Sequence, residues 1–257
     1  MNPDPREPNQ VLRDSSATRV QHAHPRLVDN PVRAGILCLP MSALLFLTGA
    51  SVRGPFRNPN FSDDTRAFAR WLVSPAYSVG WLILLAAMGL LLFGVLSLAV
   101  DLAHGRGRMR ALFGLCISEA GLALSIALAG SFALGWPVLG ERIFSGDTTA
   151  LAALTASYNS TSLRLAVLLG TVLYIGGTFL IATVICESRS LPRWSGLLYL
   201  IHAPLLCIAA TMTLSFEHLG AFFLLLSGGA LAWGVRHEEE VVRHPEHHAP
   251  IAGRTIP

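Results

Sequence analysis

Lysine is absent from this chain, and every one of its 19 Lys/Arg positions is an arginine. A lysine amine forms the Schiff base of retinal proteins and of pyridoxal phosphate enzymes, and it holds phosphate in the Walker A loop. The absence of lysine therefore excludes a rhodopsin-like light receptor and a self-contained ATP-driven pump.

Charge and cysteine are also scarce. Charged residues make up 14% of the chain, against about a quarter in an ordinary soluble domain. The four cysteines have no C-x-x-C spacing and all fall in apolar runs, so we expect them to pack as small apolar side chains: Cys38, Cys116, Cys186 and Cys207. The chain also lacks an H-E-x-x-H helix and a G-x-S-x-G elbow. We therefore predict a protein that is not an enzyme and has no metal site or cofactor.

Apolar residues are plentiful, at 52% of the chain with a mean hydropathy of +0.52. Six apolar runs approach or exceed the roughly 20 residues that span a bilayer: 34–52, 77–103, 111–136, 164–186, 194–214 and 219–235. The runs are continuously apolar, whereas a membrane strand alternates. The sequence therefore predicts an all-α fold, a polytopic membrane bundle of six transmembrane helices.

The arginines predict how this bundle is oriented. With six spans, thirteen arginines lie on the side of the two termini and six on the opposite side. Because basic residues accumulate on the cytoplasmic side, we expect both termini in the cytoplasm. The predicted organisation is a disordered cytoplasmic tail over 1–30, a transmembrane domain over 31–236 and a second disordered cytoplasmic tail over 237–257. The net charge of +3 then reflects topology, and we expect no nucleic-acid partner.

The loop after the first run predicts a short helix lying at the membrane interface. Ser62 could cap it, and the aspartates that follow would meet the positive helix end. Arg66 and Arg70 would lie on one face, and the apolar face would hold Phe61, Phe68, Trp71 and Leu72. The alternative is a plain ordered loop.

Small residues in the third run predict close helix packing. Gly121, Ser125 and Ala129 form one row at i, i+4 spacing, and Gly176 and Gly177 could act in the same way in the fourth run. Small side chains let helix backbones approach each other, which is how membrane bundles pack.

Pro40 lies inside the first run, where proline removes one backbone hydrogen bond and clashes with the carbonyl four residues earlier. We therefore expect a kink near Ile36. The alternative is that Pro40 lies in the first turns of a span that starts later.

Two ionisable residues fall within apolar runs, where they are costly and typically functional. Glu119 lies in the third run, and His202 lies in the fifth with Tyr199 on the same side. One interpretation joins Glu119, His202 and Tyr199 in a polar intramembrane site that relays protons or lines a substrate path.

The alternative interpretation gives these residues structural roles. Glu119 would reach Arg108 or Arg110, and His202 would bond to a backbone carbonyl that Pro204 leaves unpaired. A third interpretation makes His202 an axial ligand of haem or of a chlorophyll-type pigment.

Two segments carry a resemblance to a family. The stretch from Phe61 to Asp101 contains Arg66-Ala67-Phe68-Ala69-Arg70 and Ser74-Pro75, and the fifth run opens with Ser190-Leu191-Pro192-Arg193-Trp194. In these features the chain resembles uncharacterised six-span membrane proteins of actinobacteria and related bacteria, a domain of unknown function. The resemblance implies the fold and a bacterial inner membrane, and it implies no activity or site.

From these features we expect a non-enzymatic inner-membrane protein that is an accessory or structural subunit of a membrane complex. Its partners would be the lipid bilayer and other membrane subunits. One alternative is a secondary transporter or channel using Glu119 and His202, and another is a haem- or pigment-binding subunit of an electron-transfer complex.

Overall fold

The structure is a computed structural model that describes residues 29–55, 64–103, 105, 107–188, 191–209 and 214–243. In this part of the chain all regular secondary structure is α-helical. The nine helices are α1 Asp29–Ile36, α2 Cys38–Arg53, α3 Thr65–Leu72, α4 Pro75–Leu102, α5 Arg108–Phe144, α6 Thr148–Tyr158, α7 Thr161–Glu187, α8 Arg193–Ala209 and α9 Leu214–Arg243.

Five helical segments of the described chain are long and apolar enough to cross a membrane: Ala34–Arg53, Pro75–Leu102, Arg108–Phe144, Thr161–Glu187 and Phe216–Val235. They indicate a membrane protein. The predicted run 194–214 corresponds to α8, which has 17 described residues and is not among the five. Residues 210–213, which complete that run, lie outside the described chain.

Helices α4 and α7 begin at serine caps. The Ser74 hydroxyl accepts the amide of Tyr77 at 3.2 Å, and Pro75 occupies the first helical position of α4. The Ser160 hydroxyl likewise accepts the amide of Leu163 at 3.2 Å at the start of α7. These side chains satisfy amides that have no partner within the helix, so the two serines set where α4 and α7 begin.

The six long helices α2, α4, α5, α7, α8 and α9 form a ring. Each packs against the next along the chain, and α9 returns to pack against α2. Spatial order therefore follows chain order, as short connections favour. Side chains from all six of these helices face the interior of the ring.

Glycines bring α5 and α7 together. A Cβ atom added at Gly121 would lie 2.5 Å from the Tyr174 amide nitrogen, and one added at Gly177 would lie 2.3 Å from the Ser118 amide nitrogen. Only glycine allows backbones this close. Gly176 is exposed, and nothing in the described chain lies within 4 Å of a Cβ atom there. Gly176 therefore makes no packing contact with the described helices, although the sequence suggested it.

The first span is interrupted close to the expected kink. The helix breaks at Leu37, between α1 and α2. Pro40 lacks the amide hydrogen that would bond the carbonyl of Ile36, so the ladder fails at this turn.

Three boundaries differ from the predictions. Helix α5 continues through Pro137 to Phe144, and α6 lies between the predicted runs 111–136 and 164–186. Pro137 and Gly140 are poor helix formers, so local propensity does not explain the extension. Tertiary packing accompanies it instead, since Gly140 lies against Leu72 of α3. Helix α9 continues to Arg243, beyond the expected domain end at 236, through a glutamate-rich stretch of good helix formers. The predicted tails otherwise lie in 1–28 and 244–257, outside the described residues.

A short helix, α3, lies at the predicted place. Asp64 caps it by accepting the amides of Arg66 and Ala67, both at 3.0 Å. Ser62, the expected cap, and Phe61 lie outside the described residues. Arg66 and Arg70 are exposed, whereas the Phe68 and Leu72 side chains are buried, and the helix packs against α5.

Candidate functional site

The helices of the ring line a partly open cavity of about 160 Å³, which we call the chamber. All six long helices contribute to its wall. The lining residues are Phe46 and Arg53 of α2, Trp81, Leu84, Met88 and Leu91 of α4, Leu122, Ser125, Leu128, Ala129 and Phe132 of α5, Val167, Thr171 and Tyr174 of α7, Leu206 and Cys207 of α8, and Glu217 of α9. Most of this surface is apolar, and its polar groups lie toward two ends.

The two ends are set by contacts along α5. Near one end Phe132 packs against Trp81, with ring centroids 5.4 Å apart. Near the other, Gly121 lies against Tyr174. About 16 Å of helix separates Phe132 from Gly121. We call these the ion-pair end and the tyrosine end.

A buried ion pair occupies the ion-pair end. Arg53 Nη2 donates to Glu217 Oε2 at 2.7 Å, and the two side chains are 5% and 11% exposed. The Arg53 guanidinium also lies over the Trp81 ring, 4.8 Å from its centroid. Removing one partner of such a pair leaves an uncompensated buried charge, which costs about 3–5 kcal/mol.

A second polar contact lies beside the ion pair. His218 Nε2 and the Ser51 hydroxyl are 2.9 Å apart. Both contacts join the last turn of α2 to the first turns of α9. The first and last long helices of the chain are therefore held together by polar groups at this end.

A fully buried histidine lies at the tyrosine end, behind Tyr174. The Nδ1 atom of His202 meets the backbone carbonyl of Tyr199, and its Nε2 atom lies 2.8 Å from the Tyr174 hydroxyl. A carbonyl can only accept, so Nδ1 carries the ring proton. In a neutral ring Nε2 is then the acceptor, and the Tyr174 hydroxyl donates to it.

Glu119 lies near this group but does not bond to it. No hydrogen bond joins Glu119 to His202 in the described chain. The Oε1 atom of Glu119 is buried there with no hydrogen-bond partner, as is the hydroxyl of Tyr199. The neighbours of Glu119 in the chain, Ser118 and Gly121, lie against Gly177 and Tyr174 of α7, which places Glu119 at the level of the histidine's partner Tyr174. The three residues singled out in the sequence, Glu119, Tyr199 and His202, thus lie in one region of the ring.

The structural alternative for Glu119 is wrong as far as Arg110 is concerned. Arg110 pairs with Glu187 through both of its terminal nitrogens, one of them at 2.7 Å. The alternative for His202 is close to what is seen. Its partner is the carbonyl of Tyr199, one residue before the carbonyl of Leu200 that Pro204 leaves without a donor.

The small-residue row of α5 has two roles. Gly121 lies at the contact with α7, whereas Ser125 and Ala129 line the chamber. The Ser125 hydroxyl donates to the Gly121 carbonyl at 2.9 Å. Small side chains therefore bring helices together at one level and leave open space at the next.

His202 fits poorly as an axial ligand. Both of its ring nitrogens already meet protein groups, so an iron or magnesium atom would have to displace the Tyr174 hydroxyl. Within the described residues, no group of three or more His, Cys, Asp or Glu side chains is arranged to hold a metal ion.

Three residues of the site were not singled out in the sequence: Arg53, Glu217 and Tyr174. Arg53 directly follows the first apolar run, 34–52, and Glu217 precedes the last, 219–235. The sequence does offer one signal for this pair: a positive charge just after the first apolar run and a negative charge just before the last. Tyr174 carries no formal charge, so its burial draws no attention in a sequence.

The arrangement is suited to binding. An apolar wall can hold the body of a small molecule, and the Arg53 guanidinium offers a donor at the ion-pair end. Comparison with known proteins finds no protein family, no curated protein and no solved structure that matches this chain.

Proposed function

We propose that this protein is a secondary transporter of the bacterial inner membrane that carries a small, largely apolar solute through its chamber. The chamber itself is the main support, because an empty space lined by all six long helices serves a passing molecule. A subunit with only a structural role needs no cavity at its centre. This favours transport over the accessory role expected from the sequence.

The proposal includes six membrane crossings: the five segments that are long and apolar enough to span a membrane, and α8 in addition to them. Support comes from the ring, in which α8 packs between α7 and α9 as the other long helices pack with their neighbours. Six crossings place both termini on one side, and the distribution of arginines assigns that side to the cytoplasm. The bacterial inner membrane rests on the same distribution and on the resemblance to six-span bacterial proteins.

The proposal gives α3 the place predicted for it, at the membrane surface on the side away from the termini. Its exposed arginines, Arg66 and Arg70, and its buried Phe68 and Leu72 support an interfacial helix.

In this scheme the buried polar groups have separate tasks. The Arg53–Glu217 pair closes the chamber at the side away from the termini, because it joins α2 to α9 there. Glu119, Tyr199 and His202 form the polar path on the other side of Tyr174. Intramembrane ionisable groups arranged in this way mark ion and substrate pathways in transporters.

Flux into proteoliposomes tests transport. Benzoate and benzylammonium are suitable probes, because a cavity of about 150 Å³ holds benzene and the two ions differ in charge. We expect at least one of the two ions to enter vesicles that contain the protein faster than it enters protein-free vesicles. Ala129→Phe would fill the chamber and abolish the difference.

The matched control is Ala127→Phe on the same helix. Ala127 is exposed, whereas Ala129 lines the chamber, so Ala127→Phe should transport like the wild type. Equal flux in Ala129→Phe and wild-type vesicles would show that solutes do not pass through the chamber. No protein-dependent flux of either ion would count against transport.

A further inference from the structure

We propose that the chamber binds a small monocarboxylate, whose carboxylate takes the place of Glu217 on Arg53. This inference rests on the proposed function, since it names the substrate class of the same chamber. It depends on an asymmetry between the two members of the buried ion pair.

Arg53 is held in place without Glu217. Its Nε atom donates to the Gly54 carbonyl at 3.3 Å, and its guanidinium lies over the Trp81 ring. Its backbone carbonyl accepts the Trp71 indole N–H at 3.4 Å. Its Cβ atom lies 2.6 Å from where a side chain on Gly80 would begin, so α4 packs tightly on it. The guanidinium is therefore a pre-positioned group in the chamber wall.

Glu217 has no comparable support. In the described chain its carboxylate makes one hydrogen bond, and that bond is to Arg53. Both residues lie at the ends of packed helices, so the asymmetry rests on the additional side-chain contacts of Arg53. If one member of the pair is exchanged, the carboxylate leaves and the guanidinium stays.

The group that replaces Glu217 should share its chemistry. A guanidinium binds a carboxylate through two parallel hydrogen bonds, and Arg53 Nη1 makes no hydrogen bond within the described residues, so a second donor is at hand. An amine would instead have to displace Arg53 from both Glu217 and Trp81. The asymmetry therefore favours an anion over a cation.

The chamber sets the size and character of the rest of the molecule. Its volume of about 160 Å³ is close to that of cavities that hold benzene, about 150 Å³. Phe46, Phe132 and Leu128 are among the residues that line it. A carboxylate with a benzene-sized apolar body, such as benzoate, fits this description.

Glu217 then competes with the ligand. Two carboxylates against one guanidinium repel each other, so a bound carboxylate drives Glu217 away from Arg53. Replacing Glu217 by a neutral group of the same shape should remove this competition and strengthen binding. A residue that merely lined the site would weaken binding when replaced.

Equilibrium dialysis with radiolabelled benzoate on the detergent-purified protein tests the proposal. We expect saturable binding to the wild type, about tenfold tighter binding to Glu217→Gln, and no binding to Arg53→Gln. Trp81 lines the chamber, so its fluorescence offers a second readout. Benzylammonium and benzyl alcohol are the ligand controls, and both should bind at least about tenfold more weakly than benzoate.

A variant with a neutral pair guards against misfolding. Arg53→Gln alone leaves Glu217 buried and uncompensated, but Arg53→Gln combined with Glu217→Gln leaves no buried charge at this end. The double variant should fold and fail to bind benzoate, and its comparison with the wild type decides the question even if a single variant does not fold. Benzoate binding by the double variant, no gain in Glu217→Gln, or preference for benzylammonium would each overturn the proposal.

The outcome is separable from that of the transport proposal. Benzoate that binds with this pattern but does not cross vesicles would support the carboxylate site and contradict transport. Chamber-dependent flux of benzylammonium without benzoate binding would support transport and contradict the carboxylate site.

Discussion

Tyr174 and Tyr199 are both buried and both have rings packed against His202, but only one hydroxyl has a partner. The Tyr174 hydroxyl donates to His202 Nε2, whereas that of Tyr199 has no hydrogen-bond partner in the described chain. Deleting a hydroxyl that donates a hydrogen bond to a buried acceptor destabilises the fold, because the acceptor is left without a hydrogen bond. Deleting an unpaired hydroxyl removes a group that had no bond to lose.

We therefore predict that Tyr174→Phe lowers the free energy of unfolding by about 0.5–2 kcal/mol. Tyr199→Phe should leave it unchanged or raise it slightly. The two variants remove the same atom from the same kind of ring, so each is the control for the other. Thermal or denaturant unfolding of the purified proteins in one detergent measures the difference. Equal losses in both variants would mean that the Tyr199 hydroxyl has a partner after all.

Site residues were predictable where charge made them conspicuous, and Tyr199 was predictable through its position on the same side of the fifth run as His202. Glu119 and His202 stand out because an ionisable group in an apolar run needs a reason to be there. Tyr174 carries no charge, and Arg53 lies at the end of an apolar run, where arginine is ordinary. Its burial depends on Glu217, which lies 164 positions later in the chain. No local pattern joins residues so far apart.

At the scale of elements, neighbouring glycines on α7 have opposite surroundings. Gly177 lies against the backbone of α5 near Ser118, whereas Gly176 faces open space. The same substitution therefore meets a clash at one position and none at the next.

We predict that Gly177→Ala lowers the free energy of unfolding by about 1–3 kcal/mol, since the added methyl would push α5 and α7 apart. Gly176→Ala should be neutral or stabilising by up to about 1 kcal/mol, because alanine favours helix over glycine. Thermal unfolding of both variants in the same detergent provides the measurement. If Gly176→Ala were the more damaging, the pairing of α5 with α7 would be wrong.

Helix capping explains why helix α6 forms, although the search for apolar runs did not predict it. Helix α6 is capped by Asp147, whose carboxylate accepts the Thr149 amide at 2.9 Å and the Ala150 amide at 3.2 Å. Hydrogen bonding by the Thr149 hydroxyl, and then by the Ala150 amide, lowers the pKa of Asp147 below its usual value. The charged cap is thus favoured at neutral pH. Helices of this kind are specified by their ends, which a search for long apolar runs does not examine.

At the scale of the whole molecule, the number of crossings decides where the termini lie. Six crossings place them on one side of the membrane, and five place them on opposite sides. We therefore predict that green fluorescent protein is fluorescent when fused to either terminus in bacterial cells. Alkaline phosphatase should be inactive at both positions, because it requires the periplasm.

The control is alkaline phosphatase fused after Gly146, between α5 and α6. This point should lie on the opposite side of the membrane, so the same enzyme should be active there. A cytoplasmic N-terminus combined with a periplasmic C-terminus would remove α8 from the set of spans and contradict the six-span proposal.

The sequence by itself determined two features: that this is a membrane protein and that its apolar segments are α-helices. Long apolar runs need a bilayer, and in a bilayer the backbone satisfies its hydrogen bonds within each helix, so composition and run length are sufficient for these features. Only the tertiary structure decided that the helices form a ring, that Ser125 and Ala129 leave space while Gly121 closes it, and that Arg53 meets Glu217. The physical reason is that lipid is as apolar as leucine. Hydrophobicity therefore does not select which helix faces meet, and close packing with a few buried polar contacts between distant residues does.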